Sequence, residues 1–137
     1  MKYKYWNFFR KGESISNIAS KFNITRQGVH KSIKQMDMEI TTRLLETARS
    51  SRILVEWHDK TKGVLIGISP QLGDLLSLII IDQGNQLRIF YNQTINKNST
   101  IKNEILKELR SVLLETINLS ISQDESFKNI LDNIIKK

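Results

Sequence analysis

The chain has 137 residues, of which 39% are hydrophobic and 26% are charged, and its formal net charge is +7. This length supports one modest core or two small modules, and the composition is typical of a soluble, ordered protein. The absence of cysteine excludes disulfides, thiolate zinc sites and cysteine nucleophiles. The sequence shows no signal peptide and no apolar run of about 18 residues, so we expect a cytoplasmic protein that makes no membrane contact.

The positive charge is concentrated in the first part of the chain. Residues 1–50 carry ten Lys and Arg against four Asp and Glu, residues 51–100 carry five against four, and residues 101–137 carry six against six. The excess is therefore +6, +1 and 0. A polyanionic partner would meet the N-terminal segment, and its binding would weaken steeply as the salt concentration rises.

Residues 2–11 predict a first helix, which ends at Gly12 because glycine accepts a positive φ. The aromatic residues Tyr3, Tyr5 and Trp6 lie among basic residues in this helix. They allow one alternative use, a platform on which single-stranded bases stack. At helical spacing such residues more commonly belong to the core and its rim.

Residues 13–36 have the spacing of a helix-turn-helix, in which two short helices cross over a tight turn. Ala19 supplies a small residue where the second helix approaches, and Asn23 accepts a positive φ in the turn. Ser14 or Ser16 caps the first helix. Together with the helix at residues 2–11, these elements predict a tri-helical unit.

The second helix of this motif begins after Thr25, which caps it, and its apolar and polar residues separate onto opposite faces. The polar face suits a DNA major groove, because Arg pairs with guanine, Gln with adenine, and Lys with guanine or phosphate. Gly28 costs about 1 kcal/mol relative to alanine inside a helix. We therefore expect it to permit close approach to the first helix or to a phosphate. The residues predicted to meet DNA are Lys21, Thr25, Arg26, Gln27, His30, Lys31 and Lys34.

Residues 37–51 predict a further helix, whose apolar residues Leu44, Leu45 and Ala48 are rotated away from the preceding stripe and face a new surface. From residue 52 the periodicity becomes alternating and predicts four antiparallel strands, with turns at 59–63 and 82–85.

The segment 69–74 interrupts this pattern with the only proline of the chain. Residues 92–100 predict a polar linker. Two amphipathic helices then follow.

These patterns predict an α+β protein with three segments. Residues 1–51 form a tri-helical helix-turn-helix domain with a linker helix, and residues 52–94 form an antiparallel β-meander of about four strands. Residues 95–137 form two C-terminal helices that are a possible dimerisation segment. No internal repeat links the three.

The sequence contains no pattern typical of an enzyme. It has only two histidines and lacks an HExxH motif, a Gly-rich phosphate loop and a GxSxG motif. We therefore predict no catalytic residue, no metal ligand, no cofactor and no small-molecule ligand. Asp59, Asp74 and Asp82 border predicted turns, where Asp side chains accept hydrogen bonds from backbone amides.

The run ISNIASKFNITRQGVHKSIKQ is similar to the helix-turn-helix of sigma-factor region four and its archaeal relatives. The continuation LLETARSSRILVEWHDKTKGVLIGISPQLGDLL resembles the β-containing segment of small archaeal sigma-factor-like transcriptional regulators, so the likeness covers about two thirds of the chain. Gly28 replaces the usual alanine, Asn23 replaces the usual turn glycine, and residues 95–137 show no likeness. The resemblance implies a sequence-specific DNA-binding regulator in which the DNA-facing positions are Arg26, Gln27, His30, Lys31 and Lys34.

We therefore predict a transcriptional regulator that binds double-stranded DNA. A non-specific architectural or single-strand binder and a protein-interaction adaptor are the alternatives.

We also predict a homodimer, because one tri-helical module has a small footprint and regulators of this kind read half-sites about 34 Å apart. The C-terminal helices are the favoured interface and the β segment is the second choice. The alternative is a monomer whose C-terminal helices cover its own sheet.

Overall fold

The computed structural model describes residues 1–71, 74–92 and 99–136. In that part of the chain, five helices surround one four-stranded antiparallel sheet, whose strands pair in chain order. The predicted α+β class, the β-meander and the two C-terminal helices are therefore confirmed. The helices are α1 (Lys2–Arg10), α2 (Ile15–Phe22), α3 (Arg26–Ser50), α4 (Ser99–Ile117) and α5 (Phe127–Lys136). The strands are β1 (Leu54–Asp59), β2 (Val64–Gln71), β3 (Asp74–Gln83) and β4 (Gln86–Tyr91).

The sheet carries a separate apolar core on each of its faces. On one face, the three N-terminal helices pack against the inward side chains of the strands, including Leu65, Leu78 and Ile80. On the other face, α4 and α5 cover the alternate side chains, including Val64 and Ile79. The alternation of β2 and β3 explains this division, because successive side chains of a strand point to opposite faces. The segments that the sequence predicted as separate units therefore all contribute to cores on the two faces of one sheet.

Helix α3 differs from the prediction because it is one continuous helix of 25 residues. Leu44 and Ala48 were expected to face a new surface, yet both are buried in the same core as Ile33 and Ile40. Only Leu45 departs from this stripe, with 38% of its surface exposed. The prediction of a second, rotated helix is therefore wrong. Residues spaced by four advance only about 40° around the helix at each step. Leu44 and Ala48 therefore stay on the same buried side as Ile40.

The two turns predicted by the sequence join consecutive strands. Asp59 accepts hydrogen bonds from the amides of Thr61 and Lys62, at 2.8 and 2.9 Å, in the turn between β1 and β2. Gly84 and Asn85 both adopt a positive φ in the turn between β3 and β4, as two-residue hairpin turns require. The guanidinium of Arg43 on α3 donates to both oxygens of Asn85, which ties the middle of α3 to this turn.

Of the interruption predicted at 69–74, residues 69–71 belong to a strand, and residues 72–73 lie outside the described residues. Strand β2 runs to Gln71, and Pro70 pairs with Leu75 of β3. Strand β1 begins at Leu54, opposite Ile68, so Pro70 lies beyond β1, where β2 has a neighbour on one side only. Proline is tolerated at such edge positions. The linker predicted at residues 92–100 lies mostly outside the described residues, and β4 ends at Tyr91.

Arg10 joins α1 to the β1–β2 turn and to the end of β3. Its Nη1 donates to the backbone oxygens of Asp82, at 2.9 Å, and Lys62, at 3.3 Å. Its Nη2 lies 3.6 Å from Oδ2 of Asp82, and its guanidinium lies over the ring of Trp6. The side chains of Arg10 and Asp82 are 1% and 0% exposed, so this ion pair is almost completely removed from water.

Tyr3 also contacts this ion pair, because its hydroxyl donates a hydrogen bond to Oδ2 of Asp82 at 2.7 Å. Burial, with the contribution of this hydrogen bond, raises the pKa of Tyr3 to about 12. Burial also raises the pKa of Asp82, against the opposing effects of Tyr3 and Arg10. The other oxygen of Asp82, Oδ1, is buried and has no hydrogen-bond partner among the described residues. The charged carboxylate is stabilised mainly by Tyr3 and Arg10, with smaller contributions from Arg43 and the backbone of Asn85.

We expect Asp82→Asn to lower the free energy of unfolding by about 3–5 kcal/mol, because it leaves the charge of Arg10 buried without its partner. The matched control is Glu39→Gln, which removes the exposed ion pair between Lys2 and Glu39. Such an exposed pair contributes about 0–1 kcal/mol. Denaturant unfolding of both variants measures the difference, and equal, small losses would contradict the assigned role of the buried pair.

Trp6 is fully buried and joins α1, α3 and the β1–β2 hairpin. Its Nε1 donates to Oδ1 of Asp37 at 2.8 Å, and a Cβ added at Gly63 would lie 2.6 Å from its ring. Burial raises the pKa of Asp37, and the hydrogen bond from Trp6 opposes this effect. Asp37 therefore binds its proton more tightly in the folded chain than in the unfolded chain.

This difference gives the stability a defined pH dependence. In the unfolded chain Asp37 ionises near a pKa of about 3.9, below its raised pKa in the fold. Its favourable contribution is thus complete below the unfolded pKa and is lost as pH rises through the folded pKa. We expect Asp37→Asn to gain stability relative to the wild type as pH rises above about 4. Urea unfolding across that range measures this gain, with Asp132→Asn at an exposed position of α5 as control. A pH-independent difference would contradict it.

Candidate nucleic-acid interface

Helices α2 and α3 are joined by a turn of three residues. Asn23 ends α2 in the left-handed conformation, with φ of 54°, as the sequence predicted. Its amide donates to the carbonyls of Ala19 and Ser20, which closes the last turn of the helix. Ser14 caps the start of α2 by accepting from the amide of Asn17 at 3.1 Å. The short turn therefore places the start of α3 close to the end of α2.

Thr25 caps α3, and its hydroxyl accepts a hydrogen bond from the amide of Gly28 at 3.0 Å. This contact leaves little room for a side chain at position 28. A Cβ at this position would lie 3.1 Å from the Thr25 hydroxyl oxygen, which is tighter than ordinary van der Waals contact. The close approach expected at Gly28 is therefore to the cap of its own helix, and the expected approach to the preceding helix is not what limits this position.

The apolar face of α3 is buried and its polar face is exposed. Val29, Ile33 and Met36 lie in the core shared with α1 and α2. All seven predicted interface residues are exposed, and none of them makes an ion pair within the described part of the chain. They are Lys21, Thr25, Arg26, Gln27, His30, Lys31 and Lys34.

Three of these residues meet at one open groove of about 490 Å³. Its lining includes Arg26, Gln27 and His30 of α3, and Ser14 and Ser16 at the start of α2. The first turns of α2 and α3 contain no acidic residue. Free amides at helix N-termini carry partial positive charge and attract anions. The groove thus combines an Arg side chain with the N-termini of two helices, of which that of α2 also has the Glu13 carboxylate beside it, bound to the Asn17 side chain at 3.4 Å.

The remaining predicted residues lie outside this groove. The ammonium of Lys21 lies 4.4 Å from the centre of the Phe8 ring, and the Thr25 hydroxyl is engaged by the cap. Lys34 lines a second groove further along α3, together with His58 and Lys60 from β1 and the following turn. Lys60 lies in a turn that also contains Lys62. Its position near α3 depends on how the β1–β2 hairpin packs. The sequence alone therefore does not indicate this second basic cluster.

The aromatic platform considered for single-stranded bases is not available. Trp6 is 0% exposed and Tyr5 is 8% exposed, and the hydroxyl of Tyr3 is bound to Asp82. These residues belong to the core and its rim.

In the described part of the chain, no group of three His, Asp or Glu side chains is placed to hold a metal ion. No helix there is long and apolar enough to cross a lipid bilayer.

Comparisons of the chain with protein-family models, with curated proteins and with solved structures found no match.

The contact between Thr25 and position 28 predicts a coupling between two substitutions. Thr25→Ala alone removes the cap and lowers the free energy of unfolding by about 1 kcal/mol. Gly28→Ala gains about 1 kcal/mol of helix propensity, but in the wild type its Cβ presses on the Thr25 hydroxyl. We expect Gly28→Ala to stabilise the Thr25→Ala variant more than it stabilises the wild type.

A double-mutant cycle from chemical unfolding measures this coupling. Equal effects of Gly28→Ala in both backgrounds would show that the hydroxyl does not restrict position 28.

Proposed function

We propose that this protein is a sequence-specific transcriptional regulator that binds double-stranded DNA through α2 and α3, arranged as a helix-turn-helix. The observation that carries the proposal is the exposed, unpaired polar face at the start of α3, formed by Arg26, Gln27, His30, Lys31 and Lys34. The opposite face of the same helix is buried in the core. The start of α3 is thus held rigidly while its base-reading side chains remain accessible.

The turn between α2 and α3 supports this proposal. A helix-turn-helix needs a short connection and a residue that tolerates the left-handed conformation. Asn23 has that conformation, and Ala19 is a buried small residue in α2. The resemblance of this stretch to sigma-factor region four and its archaeal relatives points to the same arrangement.

The chemistry of the exposed residues suits the major groove. The guanidinium of Arg26 can donate to O6 and N7 of guanine, and the amide of Gln27 can pair with N6 and N7 of adenine. Lys31 and Lys34 can contact a base or a phosphate. The excess of six positive charges in residues 1–50 favours a polyanion at this end of the molecule.

A non-specific architectural or single-strand binder is favoured less, because its aromatic residues Tyr5 and Trp6 are buried. The hypothesis of an adaptor that binds only proteins does not account for the unpaired basic face on α3. Neither alternative has a specific observation in its favour.

A homodimer on two half-sites remains part of the proposal, but the argument from apolar surface is weaker. The apolar stripes of α4 and α5, expected to need cover from a second copy, lie against the sheet of the same chain. Leu114 and Ile135 are the large apolar side chains of these helices that stay exposed, at 53% and 45%. Light scattering of the full chain, with and without DNA, measures the number of copies.

The proposal predicts different results for base-reading and phosphate-binding residues. On the duplex selected from a randomised library, Gln27→Ala should lose about 1–3 kcal/mol of binding free energy and discriminate less between bases. Lys31→Gln should weaken binding to the selected and random duplexes equally and lower the slope of affinity against salt by about 1. Gel shifts at several salt concentrations measure both effects.

Lys107→Gln, at an exposed position of α4, is the matched control and should leave binding unchanged. Equal losses on selected and random DNA for Gln27→Ala would reject base reading. The absence of any affinity for duplex DNA would reject the function itself.

A further inference from the structure

A second groove, of about 380 Å³, lies between the middle of α3 and the β1–β2 hairpin. Its charged side chains are Lys34, Asp37 and Lys60, and His58 also borders it. Lys34 belongs both to this groove and to the proposed DNA-reading face. The groove is therefore a continuation of that face along the outside of α3. Met38, Thr41 and Thr42 complete its lining.

We propose that this groove binds the sugar-phosphate backbone of the same DNA duplex, with the β1–β2 hairpin supplying Lys60 as a second clamp on the strand. This inference rests on the proposed function, because it assigns a further part of the same interface. It extends the contact surface to residues that neither the sequence motif nor its resemblance includes.

Charge is the first argument for a DNA strand. Lys34 and Lys60 place two ammonium groups along one groove, and neither makes an ion pair within the described residues. Asp37 is the single acidic residue of the lining, and its Oδ1 accepts the hydrogen bond from buried Trp6. A phosphodiester in this groove would be attracted to both ammonium groups, and the gain would include the release of counterions from the DNA.

Geometry is the second argument. The residues from Arg26 to Lys34 cover about 12 Å of the helix axis. When the first turns of such a helix enter a major groove, its following turns leave toward the edge of the groove, where the phosphates lie. The α3 residues that line the second groove, Lys34, Asp37, Met38, Thr41 and Thr42, belong to those following turns.

The chemical mixture of the lining fits a strand better than a small ion. A DNA backbone alternates charged phosphates with largely apolar deoxyribose rings. Met38 is 72% exposed and lies in the groove with the two lysines. Its thioether side chain could pack against a sugar while the ammonium groups contact the phosphates. A single free anion would leave this apolar surface in water.

The hairpin is held in place for this role. Gly63 at its base packs closely on the Trp6 ring, and Trp6 is bound to Asp37 of α3. Lys62 turns to the other side of the sheet, where its ammonium donates to the carbonyl of Ile134 in α5 at 3.3 Å. The turn is therefore held against both α3 and α5. Binding of a DNA strand would thus cost little conformational entropy in this turn.

The test compares Lys60→Gln with Lys107→Gln on the selected duplex and on a random duplex, at several salt concentrations. We expect Lys60→Gln to reduce affinity for both duplexes about eightfold at 0.1 M salt and to lower the salt slope by about 0.9, the effect of one lost phosphate contact. Phosphate ethylation interference locates the contact. One interfering position, on the strand flanking the recognised bases, should disappear in Lys60→Gln.

Thermal unfolding of Lys60→Gln should match the wild type, because the side chain is exposed. If Gln27→Ala loses specific binding while Lys60→Gln behaves like Lys107→Gln, the clamp is rejected and the proposed function stands. If no variant or wild type binds a duplex, both fail. Unchanged duplex binding, with a rise in Tm on adding inorganic phosphate that Lys60→Gln abolishes, would assign the groove to a small anion and overturn the proposal.

Discussion

The buried pair of Arg10 and Asp82 sets the position of the N-terminal helices on the sheet. Arg10 is the last residue of α1, and its guanidinium contacts the backbone of the β1–β2 turn at Lys62 and of the end of β3 at Asp82. The Nε of Arg10 donates a hydrogen bond of 2.8 Å to Oδ1 of Asn7, which orients the guanidinium. Because a charge this deeply buried is costly without its partner, alternative placements of α1 would be unfavourable.

The same constraint connects the fold to the proposed interface. Helix α1 packs against α2 and α3, and its Trp6 binds α3 through Asp37 and the β1–β2 hairpin through Gly63. The orientation of the proposed DNA-binding surface relative to the sheet thus depends on the first ten residues. Helices α4 and α5 contribute from the opposite face by covering the other core. The two cores together keep the sheet rigid beneath α3.

Local features of this structure could be predicted from the sequence, because they depend on neighbouring residues. The caps at Ser14 and Thr25, the left-handed Asn23 and the alternation of the strands are of this kind. The partners of Asp82 could not be predicted, because a residue beside a turn gives no sign of an arginine 72 positions earlier in the chain. The second groove was missed for the same reason. It requires knowledge of how the hairpin packs on α3.

The unbroken length of α3 has a mechanical consequence. Arg43 anchors the helix to the turn at Asn85, and Arg26 lies about 25 Å away along the axis. A tilt of about 5° at that anchor would move the start of the helix by about 2 Å, enough to break hydrogen bonds to a base edge. The packing of α1 on α3 and the hydrogen bond from Trp6 to Asp37 lie between that anchor and Arg26, so these contacts hold the start of the helix against such a tilt.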